Sequence, residues 1–187
     1  MSFSPKPTFS FREITDIPQD FLKHLGVKFL MIDLDNTIAA YNESLACDAV
    51  ASWAADIKEQ GIDIFIVSNS MRKKRVEAFA KQLDVKTIMN AKKPSTKGVF
   101  QAMKEAGYSA KDSAFIGDQI FTDTLAANRA GVTSIIVNPR GFTNFIISAR
   151  FAAETPFRAM CKNNNQIDKC AACADTPPSK AKTLGQE

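Results

Sequence analysis

Short apolar runs alternate with helical hydrophobic patterns along most of this 187-residue chain. A continuous apolar run bounded by turn residues is typical of a buried strand. Five such strands are predicted, at residues 27–33, 62–68, 86–89, 113–117 and 133–138. The proline-rich residues before the first predicted helix, at 17–26, are expected to be loose.

The stretches between these strands repeat their apolar residues at helical intervals. Val50, Trp53, Ala54 and Ile57 share one helical face, and Gly61 closes that helix. Similar helices are predicted at residues 76–83, 95–106 and 122–131. Strands that alternate with helices of this length predict a parallel sheet covered on both faces, a three-layer α/β sandwich. We therefore expect an α/β fold with a five-stranded parallel sheet.

Length and composition indicate one globular domain of ordinary polarity. The formal net charge of +4 suits anionic partners without selecting one. Residues 1–11 hold no continuous apolar segment of the signal-peptide kind, and no run approaches the ~18 apolar residues of a membrane span. Four unevenly placed cysteines do not suggest a disulfide framework. We therefore expect a cytoplasmic protein.

Polar residues follow the predicted strands at the points where the strands end. They are Asp33, Asp35, Ser68, Asn69, Asp118 and Asp123, with Lys93 before the helix at 95–106. The carboxyl ends of parallel strands share one edge, where ligands bind. Two carboxylates at about 4 Å repel each other by about 4 kcal/mol at an effective dielectric near 20, so cations must neutralise them. Clustered oxygen ligands are typical of a Mg²⁺ site, to which a lysine adds positive charge.

Each of these signals has an ordinary structural explanation when it is taken alone. An Asp-x-Asp at a strand end is most often a turn or a cap, a Ser-Asn pair is a turn signal, and a single lysine is usually a surface residue. Their order along the chain and their shared position at strand ends favour a functional site over four separate coincidences.

The chain resembles the haloacid dehalogenase (HAD) superfamily of phosphatases. DLDNT at 33–37, SN at 68–69, KP at 93–94 and GDQIFTD at 117–123 match its four motifs in order. Their wording is similar to that of the YqeG family of subclass IIIA, some of whose eukaryotic relatives dephosphorylate phosphatidylglycerophosphate. The resemblance covers roughly residues 10–150 and implies a HAD-like Rossmannoid fold.

The resemblance also implies chemical roles for the residues at the strand ends. Asp33 is implied as the nucleophile that forms an aspartyl-phosphate, and Asp35 as the general acid and base. Lys93 is implied to neutralise Asp33 and the phosphoryl group, since the Lys-Pro pairing of the motif selects it over Lys92. The implied substrate-binding residues are Thr37, Ser68 and Asn69. The implied Mg²⁺ ligands are Asp33, the backbone carbonyl of Asp35, Asp118, and Asp123, the last through water or by orienting Lys93.

The spacing of the motifs leaves no room for the cap domain that HAD enzymes usually carry. Residues 34–67 hold one loop, one helix and one strand, and residues 69–92 hold one helix and one strand. An open site suits a bulky phosphorylated substrate such as a lipid headgroup, and the resemblance implies phosphatidylglycerophosphate. A phosphatase of sugars or other small metabolites, closed by oligomer neighbours, is the alternative, because the sequence leaves the oligomeric state open.

A different class of function also stays open at this point. The HAD scaffold could serve as a non-catalytic binding protein that uses its basic face on RNA or on a protein partner. The intact set of Asp33, Asp35, Lys93 and Asp118 argues against it, because binding alone does not need paired acids. No nucleic-acid partner is therefore expected.

Two segments bear on contact with an anionic membrane. Residues 71–75 (MRKKR) place four cations at the start of a helix. They form either a solvated face or a binding surface for anionic headgroups. Residues 141–160 mix aromatic residues with arginines, and this segment either packs on the protein core or lies on a membrane surface. A peripheral position at the inner face of the membrane is thus an alternative to a purely cytoplasmic one.

The last part of the chain is polar and falls outside the resemblance. We expect a capless phosphatase domain at 1–155 and a disordered tail at 156–187. Cys161, Cys170 and Cys173 argue only weakly for zinc, because a structural zinc site needs four ligands and the single histidine, His24, is far away in sequence.

Overall fold

One parallel sheet forms the centre of the protein, and the computed structural model describes residues 4–141 and 145–161 of the chain. Its strands are β1 (Phe9–Ser10), β2 (Phe29–Ile32), β3 (Asp63–Val67), β4 (Lys86–Ile88), β5 (Ser113–Gly117) and β6 (Thr133–Ile136). The strand order is β1-β6-β5-β2-β3-β4, with every pair parallel. This arrangement confirms the predicted α/β class and places β2 inside the sheet.

Helices cover the sheet on both faces. In the described part of the chain they are α1 (Gln19–His24), α2 (Asp48–Glu59), α3 (Lys73–Leu83), α4 (Lys97–Ala106), α5 (Leu125–Ala130) and α6 (Phe145–Ala159). A π-helical turn at Ile120–Thr124 leads directly into α5. No helix among residues 4–141 and 145–161 is long and apolar enough to span a membrane.

The two sides of β2 belong to two separate hydrophobic clusters. Leu30 and Ile32 pack with residues of α1, α2 and α3, whereas Phe29 and Met31 pack with residues of α4 and α5. Successive side chains on a strand point to opposite faces, so a strand that is buried on both sides reads as a continuous apolar run. All four residues of β2 are buried, and the strand therefore holds whatever follows Ile32 in a fixed position.

The prediction of five strands was wrong by one, because the N-terminal segment that was expected to be loose contains β1. Phe9 pairs with Ile135 and Ser10 with Ile136, which adds an edge strand next to β6. The Phe9 ring is 2% exposed and packs edge to face on Phe21, with ring centroids 4.9 Å apart. A two-residue strand is too short to show a periodic pattern, and its stability comes from tertiary contacts.

The C-terminal helix α6 continues past residue 155, where the sequence suggests that the tail begins. Cys161 follows it, and its thiol donates a hydrogen bond to the backbone carbonyl of Thr8 at 3.3 Å. The predicted tail beyond residue 161, with Cys170 and Cys173, lies outside the described residues.

Phe9→Ala should lower the unfolding free energy by about 3–5 kcal/mol, because it removes a buried aromatic ring and leaves a cavity under β1. Chemical denaturation measures the change. Phe100→Ala is the matched control, since the Phe100 side chain on α4 is 42% exposed and its loss should cost much less. Equal losses for the two variants would contradict a structural role for β1.

Candidate active site

Three buried acids meet at the carboxyl edge of the sheet. Strand β2 lies between β3 and β5, so residues that follow these strands are neighbours in space. Asp33 follows β2, Asp118 follows β5, and Asp123 lies in the π-helical turn. One carboxylate oxygen of each lies within 4.8 Å of the others, and all three residues are buried. The structure thus brings together three residues that the sequence places among the metal ligands.

The ammonium group of Lys93 lies between two of these carboxylates. Its Nζ is 2.5 Å from Asp33 Oδ1 and 2.8 Å from Asp123 Oδ1. The Lys93 side chain is 2% exposed, whereas Lys92 is exposed to solvent. A buried cation with two carboxylate partners offsets part of the cost of burying the acids. Lys93, rather than its neighbour, is therefore the lysine that contacts the acids.

Asn69 fixes the backbone of Lys93. Its Oδ1 accepts a hydrogen bond from the Lys93 backbone N–H at 2.7 Å, and its Nδ2 donates to the Lys93 carbonyl at 3.0 Å. Both ends of the amide are therefore used within the protein. The resemblance implies that Asn69 binds substrate, and that role stays a prediction; the contacts of its side chain tie the end of β3 to the lysine.

Thr37 and Ser68, the other predicted substrate-binding residues, are fully buried. Thr37 Oγ1 has no hydrogen-bond partner within the described residues. Ser68 Oγ accepts a hydrogen bond from the Ser70 backbone N–H at 3.0 Å, and its own proton is available for donation. A buried hydroxyl without a partner costs about 1–3 kcal/mol, so a phosphoryl oxygen would be a favourable acceptor for Thr37.

Burial and mutual repulsion shift the pKa values of the acids upward. Burial raises the pKa of Asp33 to about 7, with Lys93 opposing the shift and Asp123 adding to it. Burial, followed by the charges of Asp123 and Asp33, also raises the pKa of Asp118 well above its ordinary value. Burial alone would lower the pKa of Lys93, but the carboxylates of Asp123 and Asp33 outweigh it and raise the pKa. The cluster is therefore short of positive charge.

The acids have the composition of a site for a divalent cation. Asp118 Oδ1 is buried and has no hydrogen-bond partner within the described residues. Asp123 is held by the backbone N–H of Gln119, which donates to its Oδ2 at 3.0 Å. Gly117 leaves space for this carboxylate, since any Cβ at that position would collide with Asp123. Buried carboxylate oxygens without enough cations are what a hard divalent ion binds, so the donor set fits such an ion.

Asp35 has a cation of its own, the guanidinium group of Arg75. The Arg75 Nη1 donates to Asp35 Oδ1 at 2.6 Å, and the Asp35 side chain is 20% exposed. The sequence places Arg75 in the basic segment 71–75, among cations expected to face solvent or a membrane. That expectation was wrong for Arg75, which is 7% exposed and turned towards the acids. Sequence alone gave no signal for this contact, because Arg75 is one of four consecutive cations.

Helix α6 contributes an unpredicted set of charged residues to the same edge. Arg150 Nη2 donates to Asp118 Oδ2 at 3.0 Å. Arg158 donates to the backbone carbonyls of Asp118 and, at 2.9 Å, of Val137. Glu154 is 1% exposed and pairs with Arg158. The polar side of α6 therefore packs against the loop that carries Asp118, and the i, i+4, i+8 spacing of its charges was the signal in the sequence.

Solved structures share this fold at low sequence identity. The cobalt-bound deoxy-D-mannose-octulosonate 8-phosphate phosphatase (YrbI) of Haemophilus influenzae matches with a TM-score of 0.51 at 14% identity, over 79% of this chain and 99% of that one. An uncharacterized protein of Corynebacterium glutamicum matches with a TM-score of 0.50 at 15% identity, over 70% of this chain and 94% of that one. At this level of identity the likeness shows the shared fold, a parallel sheet with helices around it.

Comparison of sequences identifies both the class and the family of this protein. A family model described as mitochondrial PGP phosphatase matches residues 4–141. Over 128 residues the chain is 35% identical to the probable phosphatase YqeG of Bacillus subtilis (strain 168). The aligned residues make up 68% of this chain and 74% of the relative. The protein is therefore a HAD-type phosphatase. It belongs to the PGP phosphatase family, as the resemblance of its motifs to YqeG implies.

Asp33→Asn should stabilise the metal-free protein more at about pH 8 than at about pH 5. The folded-state pKa of Asp33 is about 7 and its ordinary value is 3.8, so between these values the folded protein holds a proton that the unfolded chain releases. The unfolding free energy of the wild type therefore falls as pH rises through this window, and the asparagine variant lacks this loss.

Denaturant titration in chelator at both pH values measures the difference between the variant and the wild type. Asp20→Asn, which removes an exposed carboxylate on α1, controls for the change in net charge. A difference for Asp33→Asn that is the same at both pH values would contradict the raised pKa.

Proposed function

We propose that this protein is a Mg²⁺-dependent phosphomonoester hydrolase that acts through an aspartyl-phosphate on Asp33, with phosphatidylglycerophosphate as its substrate. The observation that carries the proposal is the buried contact of Asp33 with Lys93 beside Asp118 and Asp123. A purely structural cluster would gain nothing from three buried acids, since apolar residues of similar volume are usually at least as stabilising.

The chain supplies the groups that two successive phosphoryl transfers need. In the first transfer, a carboxylate oxygen of Asp33 attacks phosphorus and the ester P–O bond breaks, while Asp35 donates a proton to the leaving oxygen. In the second, the oxygen of a water molecule attacks phosphorus while Asp35 accepts a proton from that water. The bond between phosphorus and the Asp33 carboxylate breaks, which releases inorganic phosphate and restores Asp33. Lys93 and the hydroxyl of Thr37 stabilise the charge on the phosphoryl oxygens.

A magnesium ion fits the remaining requirement for positive charge. Asp33, the backbone carbonyl of Asp35, and Asp118 would hold it, with Asp123 acting through water or by orienting Lys93. When bound, the ion would supply charge that orients and neutralises the phosphoryl oxygens. The orphaned Oδ1 of Asp118 supports this assignment from the structure.

Two features support a lipid-borne substrate. The family to which the chain belongs is named for PGP phosphatase activity. The connections from β2 to β3 and from β3 to β4 each contain a single helix, α2 and α3, so neither of them holds a cap. An uncapped carboxyl edge can approach a headgroup that stays in the membrane.

We also propose that the protein meets the membrane through an exposed surface at the start of α3. This surface, the basic rim, consists of Met71, Arg72, Lys73, Lys74 and Tyr41. Its four residues from 71 to 74 are exposed, Met71 by 77% and the neighbouring Tyr41 by 53%. Arg72 holds Tyr41 by stacking on its ring at 5.0 Å and by donating to its carbonyl at 3.1 Å. Exposed apolar side chains surrounded by cations suit the interface of an anionic membrane.

Asp33→Asn should abolish phosphate release from phosphatidylglycerophosphate, because an amide cannot attack phosphorus. Wild-type activity should require Mg²⁺, vanish in chelator, and recover poorly with Ca²⁺, which prefers more ligands at longer distances. A phosphate-release assay measures all three. Appreciable turnover by Asp33→Asn would show that Asp33 is not the nucleophile. Full activity in chelator would show that the reaction does not require a metal ion. Binding of RNA without any turnover would favour the non-catalytic alternative.

Replacing Arg72, Lys73 and Lys74 together with glutamine should weaken binding to phosphatidylglycerol vesicles and slow lipid turnover. Each cation near the surface contributes about 1 kcal/mol, so the loss is on the order of 100-fold in vesicle affinity. Hydrolysis of p-nitrophenyl phosphate should hardly change. Vesicle sedimentation and the two assays measure these effects.

The matched control replaces Lys23, Lys104 and Lys111 with glutamine, since these exposed lysines lie on elements at the opposite, amino edge of the sheet. It removes the same charge and should leave vesicle binding nearly intact. Equal losses of vesicle binding for both triple variants would show that only net charge matters, and would contradict the proposal that the basic rim contacts the membrane.

A further inference from the structure

Arg75 is a buried cation that connects α3 to three residues of the segment that follows β2. Its side chain starts on α3, and its Nη1 reaches Asp35 Oδ1 at 2.6 Å. Its Nε donates to the backbone carbonyl of Glu43 at 2.8 Å, and its Nη2 donates to that of Ala40 at 3.0 Å. Each nitrogen of the guanidinium group therefore donates to a different residue, all of them in the segment that follows β2.

The aromatic residues beside Arg75 keep its guanidinium group in one orientation. The centre of the group lies 5.0 Å from the ring centroid of Phe79 and 6.0 Å from that of Tyr41. Phe79 is fully buried, so the arginine rests on a fixed surface. A planar group that stacks on a ring and donates in three directions has little freedom to turn. The position of Nη1, and with it the position of Asp35 Oδ1, is therefore set by the fold.

The two acids of the first motif are paired with different cations. Asp33 contacts Lys93 at 2.5 Å, whereas Asp35 contacts Arg75 at 2.6 Å and is not one of the three clustered acids. This separation keeps Asp35 from competing with Asp33 for the lysine. It also holds the Asp35 carboxyl group in a defined direction, although its side chain is 20% exposed and would otherwise be free to rotate.

We propose that Arg75 is the positioning residue for Asp35, an inference that rests on the proposed function in taking Asp35 as the general acid. Arg75 occupies Oδ1, so that Oδ2 is the oxygen that transfers the proton to the leaving group and later takes one from water. No covalent step involves Arg75 itself. Its contribution is orientation, because proton transfer requires the acid to lie within hydrogen-bond reach of the leaving oxygen.

The dependence of rate on the leaving group tests this role. For a series of substituted phenyl phosphates, kcat/KM reports the step in which the ester bond breaks. A well-placed general acid makes this step nearly independent of how good the leaving group is. Arg75→Gln should therefore lower kcat/KM for phenyl phosphate by about 10–100-fold, and much less for p-nitrophenyl phosphate, whose leaving group needs no proton. A plot of log kcat/KM against the pKa of the leaving phenol should be as steep for Arg75→Gln as it is for Asp35→Asn.

Two further variants separate positioning from stability. Leu83→Ala removes a buried side chain at the other end of α3, where it does not contact Arg75, and should lower the melting temperature without making the leaving-group dependence steeper. Arg75→Lys keeps the charge but loses the planar fork, and its plot should fall between those of the wild type and Asp35→Asn. Arg75→Lys also carries the test if the glutamine variant does not fold, and a plot identical to that of the wild type would overturn the proposal.

The double variant shows whether Arg75 acts through Asp35. Adding Arg75→Gln to Asp35→Asn should have little further effect on kcat/KM, because the group to be positioned is already lost. Fully additive losses would overturn the proposal, as would an equal loss for all esters in Arg75→Gln. If Asp35→Asn itself keeps the shallow plot of the wild type, the general-acid assignment fails and the proposal fails with it. If the plot is steep for Asp35→Asn but shallow for Arg75→Gln, Asp35 remains the general acid and only the positioning role of Arg75 is overturned.

Discussion

The contact of Lys93 with Asp33 and Asp123 is the interaction on which the site at the carboxyl edge depends. Three carboxylates buried within 4.8 Å of one another would repel strongly without a cation among them. The surrounding structure serves this contact, since Asn69 clamps the Lys93 backbone and Gly117 leaves room for Asp123. Lys93 and Arg150 together supply fewer positive charges than the three carboxylates carry, and this deficit suits the site to a further cation.

The sequence was enough to predict the α/β class and the residues that lie together at the carboxyl edge, because both follow from local patterns. Apolar runs marked the strands of the interior, and parallel strands bring their carboxyl ends to one edge, which is why Asp33, Ser68 and Asp118 meet there. Strand β1 escaped prediction because two residues carry no periodicity. Its position depends on pairing with β6 and on the packing of Phe9 against Phe21.

The contacts of individual arginines could not be predicted, because they depend on tertiary structure. Arg75 is one of four adjacent cations in the sequence, yet it alone turns inward to Asp35 while its neighbours stay exposed. Arg150 lies far from Asp118 along the chain and meets it only because α6 packs against the loop that carries Asp118. These two arginines add to the site, since Asp35 and Asp118 each have a cationic partner that the motifs do not include.

The most direct test of the account is to trap phosphate on Asp33. The protein is mixed with labelled phosphatidylglycerophosphate and Mg²⁺, quenched with acid within one turnover, and digested for mass spectrometry. We expect a transient, hydroxylamine-sensitive phosphate on the peptide that contains Asp33, absent in chelator and in Asp33→Asn. Metal-dependent release of phosphate with no labelled Asp33 at any time within the first turnover would contradict it.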